Sequence, residues 1–532
     1  MNTRIDGKWI AAGAITVAAL VTTVIINNHR EITNSEKIEK TISTDNGDLK
    51  INWDRYATHD IELSGTYTIS SSGTYHFTGS LNDGSIIVNA GNGVVRLILD
   101  NVSIKNSSGP AIACYNADDL VIELVGENML EDGTNYSKDL DEDVNGAIYS
   151  KADLTIKGDG SLTLTGSYQD GIVSKDDLKI DGGTYNIYAK DDGIRGKDSV
   201  YIVDGTFTIN AKADAIKSTN EIDAGKGFVL IEKGNFTLTS GAKGIKAINS
   251  VLIHDGTIDI TSTDDAIHSN SYVGIMGGNI TINSGDDGIH ANKELIVDDG
   301  VISIKKSYEG LEAQAITVNG GDISIYATDD GMNAGGGADV SANNRPGAGA
   351  FDANTSCVLT INDGNIYVNA AGDGVDSNGY LTFNGGTVVI DGPTNNGNGA
   401  LDSGAGITMN GGSVIAIGAS GMTETLGTSS LVYSASIFLT STEKAGTVIS
   451  IKDSSGKTII SHTSAKTFNH IAVGTAEFEK GKTYTIYLNG AKYDSFTISE
   501  IVTIVGTATN QMMGPGQQNQ QNQQNQMPGR RR

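Results

Sequence analysis

Cysteine, proline and positive charge are all scarce in this sequence, and long amphipathic helical patterns are missing after residue 45. The two cysteines, Cys114 and Cys357, form no Cys/His cluster of the zinc-binding kind. They read as small core residues and leave the redox compartment open. Five prolines stand against 68 glycines, without a collagen triplet period, a balance that calls for many tight turns between short strands. The 37 basic residues against 63 acidic ones give a formal net charge of −26. No basic stripe could release counterions from phosphate, so nucleic acid is excluded as a partner. No G-x-S-x-G elbow or H-E-x-x-H helix marks a hydrolase, and no P-loop is present.

What the sequence does contain is a repeat. A short phrase recurs as DGIVSK at Asp170, DGIRGK at Asp192, DAIKST at Asp214, KGIKAI at Lys243, DAIHSN at Asp265, DGIHAN at Asp287, EGLEAQ at Glu309, DGMNAG at Asp330 and DGVDSN at Asp373. Successive starts differ by 22, 22, 29, 22, 22, 22, 21 and 43 residues. Counting from each start, apolar residues fall at offsets 2, 8, 10, 15 and 17, with Gly at offset 13; the copy from Asp265 supplies Ile267, Val273, Ile275, Gly278, Ile280 and Ile282. Spacing by two is the signature of strands. Three short strands per repeat of about 22 residues, stacked in phase, make an all-β chain, a right-handed parallel β-helix. Offset 4 is small in every copy (Ser174, Ala247, Ser269 and Ala291 among them), which predicts an inward stack where bulk is excluded. At about 4.8 Å per coil, the two cysteines lie roughly 40 Å apart and cannot be bridged.

Departures from the period predict the domain organisation. Trp9 to Ile26 is an uncharged run behind Arg4 and Lys8, so residues 1–30 read as a membrane anchor or signal segment that exports the rest, with 31–45 as linker. Residues 46–110 are expected to form an N-terminal cap and the first coils, 111–427 the parallel β-helix, and 428–505 a small β-sandwich-like C-terminal cap. The Gln/Asn-rich tail 506–532 is too polar to bury a core, and we expect it to be disordered. Insertions at Gly126 to Asn145, Glu221 to Gly227 and Ala334 to Ser356 are candidate binding loops or plain surface decoration.

Chemistry is expected at the phrase itself. Its first position stacks acids along the coil, and a second acid precedes four of them, giving the pairs Asp191/Asp192, Asp264/Asp265, Asp286/Asp287 and Asp329/Asp330. Carboxylates about 5 Å apart on neighbouring coils repel by up to a few kcal/mol at an intermediate dielectric. Three offsets are available: local turn chemistry, calcium held by clustered oxygens, or pairing with basic residues at offset 3. Offset 3 is expected to point outward and reads Arg195, Lys217, Lys246, His268, His290, Glu312, Asn333 and Asp376. That stripe is either a solvated ion-pair face or a groove contacting the carboxylates of an acidic polymer.

The runs NMLEDGTNY, GAIYSKADLTIKGDGSLTLTG, YQDGIVSKDDLKIDGGTYNI and DDGIRGKDSVYI resemble a carbohydrate-binding β-helix family of bacterial cell-surface proteins, over roughly residues 45 to 505. The resemblance implies a right-handed parallel β-helix with bound Ca2+ that binds cellulose and polygalacturonate-type sugars without established catalysis. It matches the four acidic pairs to the family's acidic turns, expected to hold the calcium, and the groove reading of offset 3 puts sugar contacts along Arg195, Lys217, Lys246, His268, His290 and Glu312. Ala213 before Asp214, and Lys243 in place of an acid, depart from the pattern and interrupt a continuous calcium row. The fold also resembles pectate lyases, so two readings stand beside that of a surface-attached polysaccharide binder. One is a calcium-dependent lyase with Lys217 or Lys246 as base; the other is a surface stalk or adhesin without a sugar ligand.

Overall fold

The computed structural model describes residues 51–335 and 354–507. The expected anchor and linker, the centre of the Ala334 to Ser356 excursion and nearly all of the Gln/Asn-rich tail lie outside the described residues. Among the described residues the chain is a β-solenoid of about 15 turns, with a single 3-10 turn at Trp53–Arg55.

One coil shows why the sequence folds this way. From Asp265, strands Ile267–Ser269, Tyr272–Ile275 and Asn279–Asn283 are separated by turns. Each pairs in parallel with its copy one coil up: Ile267 with Ile289, Val273 with Leu295, Ile280 with Ile302 and Ile282 with Ile304. All of these side chains are fully buried in one continuous core. Each such burial stabilises by about 1.5–3 kcal/mol, and a one-residue slip would turn the whole set outward. The rings of Tyr185, Phe207 and Phe236 stack along this core with centroids 4.8 Å apart and planes within 5° of parallel, which reports the rise per coil directly.

The small residues at offset 4 are buried, as the sequence leads one to expect. Where Ser stands there, its hydroxyl donates to a carbonyl near the previous coil's corner: Ser174 to Ala152 at 3.2 Å, Ser218 to Lys197 at 3.2 Å and Ser269 to Asn249 at 3.0 Å. The offset-13 glycines are needed for a different reason. Gly300 has φ +117°, and a Cβ there would meet the Gly278 carbonyl oxygen at 3.0 Å and the Gly277 carbonyl carbon at 3.1 Å. Gly300→Val should therefore destabilise the protein by about 1–3 kcal/mol, read by chemical unfolding; an unchanged transition would show the turn to be unstrained.

Parallel pairing begins where Thr58–Leu63 meets Gly73–Leu81 and runs to Ser413–Gly418. There the direction changes. Ser413–Gly418 takes an antiparallel partner, Phe468–Thr475, which also pairs with Ser434–Glu443. A second sheet, containing Val448–Lys452, Thr458–Thr463, Thr483–Leu488 and Ala491–Thr497, packs on this one over a separate core that includes Ile437, Ile451, Phe468, Ile486 and Phe496. The open edge of the last coil is thereby occupied. The join is polar as well: buried Asp391 accepts from His462 Nε2 at 2.9 Å, Tyr367 Oη at 2.8 Å and the Ala465 N–H at 3.1 Å. Lys466 Nζ caps the carbonyls of Ala370, Asp391 and Gly392.

Candidate functional site: a buried carboxylate ladder

The phrase position is a corner where a turn feeds the first strand of the coil, and it buries its acid. Asp170, Asp192, Asp214, Asp265, Asp287, Glu309 and Asp330 are all buried, while the preceding acids Asp191, Asp264, Asp286 and Asp329 are half-exposed. Each buried aspartate uses Oδ1 to accept the backbone N–H of the same position on the next coil. The series runs Asp170 from Asp192 at 3.0 Å, Asp192 from Asp214 at 3.1 Å, Asp214 from Lys243 at 2.9 Å, Asp265 from Asp287 at 3.1 Å, Asp287 from Glu309 at 3.1 Å and Asp330 from Asp373 at 2.6 Å. The carboxylates thus continue the hydrogen-bond ladder through the corner, where an unpaired N–H would be costly.

The remaining oxygen is held by offset 3, and here the expectation of an outward, solvated stripe is corrected. Arg195 bridges Asp170 Oδ2 at 2.6 Å, and Lys217 bridges Asp192 at 3.1 Å and Asp214 at 2.9 Å. His268 Nδ1 meets Asp265 at 2.8 Å, and His290 Nδ1 meets Asp287 at 3.2 Å and Glu312 at 2.7 Å. His268 is 3% exposed and His290 fully buried. Offset 3 lies one residue into the strand, so its side chain sits beside the acid of the turn that opens it. Lys246 sits in the same column, half-buried, and makes no salt bridge among the described residues. Where Lys243 replaces the acid, its amine reaches up to Asp265 and to Asp264, at 3.0 Å from the latter.

Toward the C-terminal end offset 3 is no longer basic. Asn333 donates to Glu309 at 2.9 Å, and beyond it offset 3 becomes Asp376 and then Asp402, in register with each other. Among the described residues no basic side chain bridges Asp373, Asp376, Asp402 or Glu424. Burial, reinforced by Asp330 and Asp402, pushes Asp373 up to about 8, and burial plus Asp402 pushes Glu424 up to about 8. Asp376 is raised well above the usual carboxylate range by burial and then by Asp402 and Asp373. Asp170, Asp192, Asp287 and Glu309 are raised too, by burial first, but Asp265 differs. Burial would raise Asp265 as well, but His268 and Lys243 outweigh it and hold the carboxyl low. Asp402 and Glu424 were not among the expected ligands: Asp402 sits in the weak phrase copy GALDSG, and Glu424 comes from a segment outside the repeat.

Two further features accompany the ladder. At another corner Asp153, Asp176 and Asp177 cluster, and Lys226, from the seven-residue insertion, bridges Asp177 at 2.6 Å. The third strands of successive coils make one face of the solenoid, here the third sheet, and its outward residues include columns of small polar groups. Thr208, Thr237, Asp259 and Thr281 are in register in one, and Asn210, Thr239, Thr261 and Asn283 in the next. Tyr188 and Tyr326, 53% and 46% exposed, stand toward opposite ends of that second column.

With this geometry in hand, the protein is a parallel β-solenoid carrying a buried acidic ladder. A family model for carbohydrate-binding domain-containing proteins matches residues 64–310 and 249–353, together more than half of the chain, and the chain belongs to that family. A carbohydrate-binding domain-containing protein of Acetivibrio thermocellus is 38% identical over 126 residues, which are 23% of this chain and 44% of the relative, so the match covers less than half of that relative's length. A solved structure of a polysaccharide lyase-like protein from C. thermocellum, as a gadolinium derivative, matches 45% of this chain and 96% of its own at 31% identity, with a TM-score of 0.38.

Proposed function

We propose that this is a non-catalytic, extracellular polysaccharide-binding protein that uses Ca2+ to hold acidic sugars at the C-terminal end of its carboxylate ladder. The observation that carries this reading is the run Asp373, Asp376, Asp402 and Glu424, half-buried together with no basic partner among the described residues. An oxygen-only donor set of several carboxylates suits calcium, and a bound ion supplies the missing positive charge and an attachment point for uronate carboxylates. Asp329 and Asp330 adjoin this set and add to the negative charge on Asp373, while Lys217, Lys243 with His268, and His290 bridge Asp192, Asp265 and Asp287. The calcium position therefore shifts toward the C-terminal member of the four acidic pairs.

The polar third-sheet face favours a second reading, the binding of a neutral glycan. From Thr206 to Asn283 its Thr and Asn side chains have no side-chain hydrogen-bond partners among the described residues. Lysine-based lyase chemistry is disfavoured by the ladder. Burial alone would lower Lys217, but Asp192 and Asp214 outweigh it and raise the amine, which keeps it protonated and a poor base. The test is depletion of the full chain by polygalacturonate and by a neutral β-glucan, in calcium and in chelator, while following ultraviolet absorbance of unsaturated uronate. Calcium-dependent retention on polygalacturonate without product is expected. Chelator-independent retention on the neutral glycan alone would move binding to the third sheet, and product formation would overturn the non-catalytic reading.

A further inference from the structure

Two consecutive coils break the chemistry of offset 3. Arg195, Lys217 and Lys246 precede them, side chains that carry charge but do not ordinarily ligate metals. His268 and His290 then follow on adjacent coils, in register, with rings stacked at 4.9 Å and 19°. Each imidazole is oriented from behind by the asparagine two residues on. His268 Nε2 lies 3.0 Å from Asn270 Oδ1, and His290 Nε2 lies 2.9 Å from Asn292 Oδ1. An amide oxygen only accepts, so both Nε2 atoms carry their hydrogens, and both Nδ1 atoms face carboxylates. Asp265 Oδ2 is 2.8 Å from the first; Asp287 Oδ2 and Glu312 Oε2 are 3.2 and 2.7 Å from the second.

A neutral imidazole in that tautomer would point a lone pair at a carboxylate oxygen. Either a proton or a metal ion must therefore lie between them. The potential ligand atoms of Asp265, His268 and His290 lie within 4.8 Å of one another, and so do those of Asp287, His290 and Glu312, with His290 common to both groups. Outer-shell fixing of a ligating histidine through its other nitrogen is the usual arrangement at metal sites. Two imidazoles with carboxylates suit a borderline first-row ion better than calcium.

We infer that His268 and His290, with Asp265, Asp287 and Glu312, form a binding site for a divalent transition-metal ion such as Zn2+, separate from the C-terminal oxygen-only cluster. Uptake displaces the Nδ1 protons to solvent, so the site exchanges an imidazolium clasp for a metal clasp in the same place. Lys243, which also bridges Asp265, confines the ion toward Asp287 and Glu312.

The metal-stripped full chain is titrated with Co2+, read by its visible ligand-field absorption, and the bound Co2+ is then displaced with Zn2+. Stoichiometric binding with a low-symmetry, nitrogen-containing spectrum is expected, together with release of protons and no displacement by an equal concentration of Ca2+. His268→Lys and His290→Lys, which restore the side chain that Lys217 provides on its own coil, should fold and weaken binding by more than about 100-fold; Asn292→Ala should weaken it by about 10–100-fold. Asp376→Asn with Glu424→Gln should leave Co2+ binding unchanged, which separates this site from the calcium reading. A featureless titration of the unmodified chain, displacement by equimolar Ca2+, or equal affinity in the two lysine variants would overturn the proposal.

Discussion

In chelator, raising the pH from about 4 to 8 is expected to loosen the C-terminal coils, and added Ca2+ is expected to restore them. The sign follows from the carboxyls. Asp373 and Glu424 titrate near 8 in the folded chain, burial being the larger cause and neighbouring acids the second, against about 3.9 and 4.3 when unfolded. Groups raised in this way contribute their full stability below the unfolded values, and that stability is lost as pH climbs through the folded ones, because the native state binds more protons in that window. Each unit of separation is worth about 1.4 kcal/mol, so together the two carboxyls account for several kcal/mol. An ion that satisfies both charges removes the penalty. Native-state hydrogen exchange at Val375 and Leu401, which pair in this region, reads the effect locally. Protection should fall with pH in chelator and stay flat in calcium, and Asp376→Asn with Glu424→Gln should shrink the fall without the ion, leaving the part due to Asp373. Protection that holds or rises toward pH 8 in chelator would remove the physical basis for a calcium site here.

The parts of the fold that were legible in the sequence share one property: each coil repeats the environment of the last. Ile267, Ile289 and Leu311 stack on one another, so identical demands produced similar residues, and a period of 22 shows through. The same logic exposed the row of acids. It could not say what the row does, because local turn chemistry, calcium and ion pairing all select aspartate at a corner. The structure shows a fourth use combined with the third: Oδ1 accepts an N–H from the next coil, while Oδ2 meets a cation over the first coils and at Asp265 and Asp287. Spacing of two also misled at offset 3. Alternation places His290 on the face opposite Ile289, but three residues after Asp287 that face lies against the buried acid of the turn. Glu424 was invisible for the converse reason, since it enters the cluster from a segment with no repeat to reveal it. The seven-residue insertion was equally silent about Lys226, whose ion pair with Asp177 makes that loop part of an acidic corner.

If the ladder is a structural element in its own right, Asp265→Ala should destabilise the middle of the solenoid by about 3–5 kcal/mol, the range seen when one partner of a buried pair is removed. Asp265 is fully buried and has three partners. Its Oδ1 accepts the Asp287 N–H, and its Oδ2 receives both Lys243 Nζ and His268 Nδ1. Truncation removes the buried partner of a nearly buried ammonium. Burial already works against Lys243, and Asp265 is first among the groups that hold its amine above the ordinary value. Lys243→Ala with Asp265→Ala should then cost clearly less than the two single variants added together, because the double variant leaves no unpaired charge behind. Asp265 is held below its unfolded value, so its contribution is present above about pH 4 and disappears as pH falls through the depressed folded value, opposite in sign to the C-terminal cluster. Because a solenoid is stabilised between neighbours, the loss should appear first at Ala266, Ile267 and Gly288, whose N–H groups span this and the next two coils, and should fade toward both ends. Hydrogen exchange at these amides, with chemical unfolding of the three variants, measures it. A cost for Asp265→Ala below about 1 kcal/mol, the level of an exposed surface pair, would show that the backbone strands carry the corner without the carboxylates.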